Sequence, residues 1–130
     1  MILDTTFVID VMNDDEEAIE LYREAEAAGQ QQYLSSVTIL ELYEGVARAI
    51  DSAAERERVR DVIDTRPVRS ADRTVMAKAG RISGELITEG MEIDREDCII
   101  AATALIEERP VVTRNVSRFE RIDGLDVRSY

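Results

Sequence analysis

The spacing of hydrophobic and polar positions changes period along the chain, and each change predicts an element. Met1 to Asp4 is a short apolar run and reads as a buried strand, followed by a helical turn or two over Thr6 to Met12 carrying Phe7, Val8 and Val11. Asp14 to Ala28 places Ala18, Leu21, Tyr22 and Ala25 at helical spacing, with acids crowding its start, where the helix dipole favours them, and Gly29 after its end. Gln32 to Ser35 predicts a second strand. A helix from about Val37 to Ala49 follows, with Val37, Leu40, Tyr43, Val46, Ala47 and Ile50 as its apolar positions. Asp51 to Asp64 reads as a solvated helix with Val59, Val62 and Ile63 on one side, and an extended piece lies around Pro67 and Val68. Ser70 to Glu89 predicts a longer helix. Asp94 to Glu107 is apolar around much of its circumference through Ile99, Ile100, Ala102, Ala104, Leu105 and Ile106, the mark of a central buried helix. Val111 to Thr113 and Asp126 to Arg128 close the chain as short strands.

Short strands separated by helices predict an α/β layer fold with a mainly parallel sheet, here as one domain over residues 1–130. In such sheets ligands collect at the carboxyl ends of strands. That rule draws attention to Asp4, Thr113 and Asn115 at once.

Composition narrows the chemistry. The chain has no histidine and one cysteine, Cys98, so it lacks the usual zinc ligand sets and an internal disulfide. Any metal must be held by oxygen, which favours magnesium or manganese. The start shows no basic and then apolar leader pattern, and no apolar run nears the roughly 20 residues that span a bilayer, so a soluble protein inside the cell is expected. The net charge is −12, from 28 acidic and 16 basic residues, of which only Lys78 is lysine. That balance suits a salt-rich cytoplasm and equally an arginine-favouring genome. It argues against nonspecific binding to nucleic acid, which needs local cations.

Four residues sit at predicted element ends: Asp4 after the first strand, Glu41 one turn into the third helix, Asp97 at the start of the buried helix and Asn115 after the strand Val111 to Thr113. If the sheet gathers those ends, three carboxylates and an amide form an oxygen-ligand site, and a cation offsets their repulsion. Each residue also has a plainer reading. Asp4 is a fitting helix cap; Glu41 follows Thr38 at capping-box spacing; Asp97 complements a helix dipole behind an Asp94 cap; Asn115 is a turn former.

The motifs taken together resemble the PIN-domain ribonucleases, in particular VapC-like toxins of VapBC toxin-antitoxin pairs. ILDTTFVID is similar to the family's opening, an aspartate followed two places later by serine or threonine, here Asp4 and Thr6; SSVTILELYEG resembles the helix bearing its glutamate, Glu41, with Gly45 after it. DCIIAATAL resembles the most specific motif, led by Asp97, and VVTRNVSRFERI the terminal strand and turn that bring Thr113 and Asn115 to the site. The resemblance implies a PIN-like three-layer α/β/α fold and a cytoplasmic endoribonuclease that leaves 5′-phosphates. It implies Asp4, Glu41 and Asp97 as holders of Mg2+ (or Mn2+), with Thr6 and Asn115 orienting water or a carboxylate. It also implies a VapB-like antitoxin partner and a homodimer.

One departure stands out. Some relatives carry a fourth carboxylate where Asn115 stands or near Arg118, whereas TRNVSRF has no acid before Glu120, which puts a second metal in doubt. Arg114, Arg118 and Arg121 cluster there instead, and a phosphate-binding arginine rim and a set of surface ion pairs are both open readings. Asp94 and Glu96 read as flanking surface acids. An apolar groove around Leu21 to Ala25 and Val46 to Ile50 is the expected docking surface for the antitoxin. Two rival functions remain: a haloacid-dehalogenase-like phosphatase, whose second aspartate is Thr6 here, and a PIN-like module that binds RNA or a partner without cutting.

Overall fold

The pairing of five short strands decides the architecture. In the computed structural model, which describes residues 1–130, these are β1 (Ile2–Leu3), β2 (Tyr33–Ser35), β3 (Val68–Arg69), β4 (Val111–Val112) and β5 (Val127–Arg128). They form one wholly parallel sheet in the order β3-β2-β1-β4-β5. Seven helices flank it: α1 (Thr5–Met12), α2 (Glu16–Ala27), α3 (Ser36–Arg48), α4 (Ser52–Asp64), α5 (Arg73–Thr88), α6 (Arg95–Glu107) and α7 (Val116–Phe119). The fold is the α/β layer structure that the alternation of elements predicts, in the α/β/α form that the family resemblance implies.

Side chains of a strand alternate between faces, so neighbouring strand residues feed separate cores. Ile2, Tyr33 and Val111 pack with α5, α6 and Phe119 of α7. Leu3, Leu34 and Val112 pack on the other face with Phe7 and Val8 of α1, Leu21 of α2, Leu42 and Val46 of α3 and Val59 of α4. Helix α6 buries Cys98, Ile100, Ala101, Ala102, Thr103 and Ala104, as its apolar circumference predicts, although Ile106 at its end is exposed. No helix is long and apolar enough to cross a membrane.

Three expectations need correction. Helix α3 carries two competing stripes, and the structure buries Val37, Thr38, Leu42 and Val46 while exposing Leu40, Tyr43 and Ala47, with Ile50 exposed beyond the helix end. The face is set by Thr38 and Leu42 meeting the sheet and α1, a tertiary fact that a 3.6-residue period does not contain. The proposed groove fails for the same reason, since Leu21, Ala25 and Val46 belong to the core. Helix α7, expected only as a turn, is a four-residue helix that buries Phe119.

Capping sorts the helices into two groups. Asp15, Ser35, Asp51 and Asp72 accept backbone N–H bonds at the starts of α2, α3, α4 and α5. Asp4, Asp94 and Asn115 occupy the same position before α1, α6 and α7, yet none of their side chains makes a cap bond. The side chains of these three residues bond elsewhere instead, Asp4 with Thr113, Asp94 with Arg118 and Asn115 with Thr6.

Candidate functional site

The register of the sheet builds the pocket floor. Leu3 is level with Val112 across the β1–β4 pair, so the next residues, Asp4 and Thr113, emerge side by side at the carboxyl edge. The Thr113 hydroxyl donates to Asp4 Oδ2 at 2.7 Å and accepts the Asn115 backbone N–H at 2.9 Å. The strand order reverses direction between β1 and β4, and a sheet opens its ligand crevice at such a switch. Asp4 is almost wholly buried there. Burial raises its pKa, against the Thr113 hydroxyl, the Thr5 amide, the Arg118 charge and Thr6, all of which favour the anion.

On the other side of β1, β2 runs straight into α3, whose second turn presents Glu41. Thr5 Oγ1 lies 2.7 Å from Glu41 Oε1 and 3.0 Å from Thr38 Oγ1. A hydroxyl has one proton, so the arrangement that serves both contacts has Thr38 donating to Thr5 and Thr5 to Glu41. Thr38 lies inside α3, which Ser35 caps, so Glu41 is not half of a capping box. Burial raises the Glu41 pKa; the Thr5 bond opposes this, while the charges of Asp4, Asp97 and Glu96 add to it.

Asp97 comes from the first turn of α6 and is buried to 8% exposure. Its pKa is raised to about 6, first by burial and then by the charge of Asp4, with Arg118 pulling the other way. Arg118 Nη1 donates to Asp97 Oδ2 at 3.0 Å and to Asp94 Oδ2 at 3.3 Å. Asp94 is itself exposed, and Glu96 is half-buried and close enough for Glu41 to feel its charge.

The remaining predicted residues divide. Asn115 Nδ2 donates to Thr6 Oγ1 at 3.2 Å, tying the start of α7 to the start of α1. Of the three arginines, Arg118 alone reaches the acids of the pocket. Arg114 instead pairs with Asp10 and Asp15 at 3.3 and 3.1 Å and lies over the Tyr130 ring, and Arg121 donates to the carbonyls of Met91 and Glu92. Reading the sequence missed Thr5, whose only trace is a second hydroxyl beside Thr6, and gave Thr38 a capping-box role in place of the bond to Thr5 that the structure shows.

Three carboxylates whose burial resists ionisation, two of them, Glu41 and Asp97, also opposed by the charge of neighbouring acids, suit a hard divalent cation, which would relieve both penalties. Their chemistry fits, with oxygen donors throughout. As the side chains lie, no three acids are drawn into a ready-made cage, so ligation requires them to adjust.

Comparisons with known proteins identify the family and the fold. The family model of the PIN domain matches residues 1–125. A curated relative, the tRNA(fMet)-specific endonuclease VapC of Salmonella typhimurium, is 29% identical over 97 residues, covering 75% of this chain and 74% of that protein. Among solved structures, VapBC2 from Rickettsia felis, bound to a promoter DNA fragment, superposes with a TM-score of 0.89 at 21% identity, over 99% of this chain and 97% of that one. DNA-bound VapBC from Salmonella typhimurium superposes at 0.86 and 27% identity, over 98% and 96% of the two chains.

Proposed function

This chain belongs to the PIN-domain family, and from that premise we propose that it is a divalent-metal-dependent endoribonuclease, the toxin of a VapBC-type pair. The observation that supports the reading is that the pKa of Asp4, Glu41 and Asp97 is raised by burial in each and, for Glu41 and Asp97, also by the charge of neighbouring acids, Asp4 among them. These three would hold Mg2+ or Mn2+. When bound, the ion polarises the phosphate and acidifies the attacking water. Thr113 holds Asp4 and the Thr38–Thr5 relay holds Glu41, which limits how far these two carboxylates would have to move to reach the ion. Asn115 and Thr6 hold the pocket's outer lip, where the substrate's phosphate backbone would pass. Arg118 is the nearest guanidinium to contact it.

The relative's substrate makes the initiator transfer RNA the first RNA to try, and the solved complexes make a VapB-like antitoxin the expected partner. A homodimer in the cytoplasm completes the reading. The test is incubation with that RNA in Mg2+, in Mn2+ and in chelator. Metal-dependent fragments ending in 5′-phosphate support the enzyme, whereas binding without fragments in any metal supports the noncleaving PIN-like module, which the missing fourth acid favours.

The hydroxyl relay gives a separate check. Thr5→Val keeps the shape but removes the donor to Glu41, and metal affinity and cleavage should each fall by about 10- to 100-fold. Folding should lose only about 1 kcal/mol by thermal denaturation. Unchanged metal affinity would reduce Thr5 to a packing residue.

A further inference from the structure

Of the acids assigned to the site, Asp97 has a guanidinium of the chain within hydrogen-bonding distance, that of Arg118. We propose that Arg118 is a resident counter-ion that competes with the divalent cation for Asp97, so that metal entry and the release of Arg118 are one event. This rests on the metal-nuclease reading above and adds a control on the ion affinity of that site.

Three features point to it. The contact is to the ligand set itself, since Arg118 Nη1 lies 3.0 Å from Asp97 Oδ2, while the Arg118 charge is also felt at Asp4. The guanidinium is free to leave, because its side chain is 41% exposed whereas that of Asp97 is 11% exposed. It also has somewhere to go. Asp94 Oδ2, on a side chain 72% exposed, is 3.3 Å from the same nitrogen, so Arg118 can give up the buried acid and keep the outer one. Buried Phe119, the next residue, keeps the backbone of α7 in place while the side chain swings. Once off Asp97 the planar guanidinium stands at the pocket mouth, where it suits a phosphate.

Competition for one carboxylate is a coupling, and coupling is reciprocal: whatever Arg118 contributes to the metal-free pocket it subtracts from metal affinity. The experiment titrates Mn2+ alone into wild type, Arg118→Gln, Arg118→Lys, Asp97→Asn and Arg114→Gln, with a metal-free thermal midpoint for each. Arg114→Gln removes the same charge, but its partners are Asp10 and Asp15. Arg118→Gln should bind Mn2+ about tenfold more tightly than wild type, with Arg118→Lys between them and Arg114→Gln close to wild type. The metal-free midpoint of Arg118→Gln should drop, and the drop should vanish when Asp97→Asn is combined with it. If Arg118→Gln binds Mn2+ no more tightly than Arg114→Gln, the counter-ion proposal falls while the metal site stands. If no variant and no wild type binds Mn2+, both fall together.

Discussion

Asp97→Asn is expected to abolish RNA cleavage, by a factor on the order of a thousand, while making the metal-free protein more stable. The two effects have one cause. Asp97 is buried beside Asp4, and its pKa is raised to about 6, above the roughly 3.9 of an unfolded aspartate. Between those values the folded state binds more protons than the unfolded one, so stability falls as pH rises. The contribution is fully present below about pH 4 and is lost as pH passes through 6. At pH 7 the charged carboxylate costs the metal-free fold on the order of 2 kcal/mol, discounted for the solvent that reaches its Arg118 side. Asparagine removes the charge, which corresponds to a midpoint higher by about 5 °C or more.

Magnesium should invert the order. It binds the ionised site of the wild type and raises its midpoint by mass action, but finds no full ligand set in Asp97→Asn. Thermal unfolding at pH 5 and pH 7, with and without magnesium, measures all of this. A destabilised Asp97→Asn with no magnesium response in the wild type would return the acids to the role of helix-end residues.

The second large effect is structural. Phe119→Ala should destabilise the fold by about 3–5 kcal/mol, because Phe119 is completely buried within the core that also holds Ile100, Val111 and Ile122. Helix α7 has only four residues. Such a helix has no stability of its own, so the buried ring is what keeps Asn115 and Arg118 in place. Denaturant unfolding gives the loss. Phe119→Leu, which retains most of the volume, should cost less than about 1.5 kcal/mol. A loss below about 1 kcal/mol for Phe119→Ala would mean that α7 is a loose flap and that Arg118 is held by its acids alone.

The sequence by itself determined the alternation of strands and helices, the parallel sheet, the buried character of α6 and the places of Asp4, Glu41 and Asp97 at the ends or first turns of those elements, because these follow from local periods and from motifs read along the chain. Its ambiguities were all about neighbours. Whether Asp4, Asp94 and Asn115 cap their helices cannot be read from residue type, since Asp15, Asp51 and Asp72 look the same and do cap. The burial of one stripe of α3 rather than the other depends on what α1 and the sheet present to it. The fates of Arg114, Arg118 and Arg121, close in sequence, diverge because only Arg118 lies in α7, while Arg114 precedes the helix and Arg121 follows it, and each meets different neighbours. Thr113 meets Asp4, 109 residues away, only because β1 and β4 pair in register. Periodicity is a property of a segment and survives in the sequence; adjacency is a property of the closed sheet and exists only once the chain has folded.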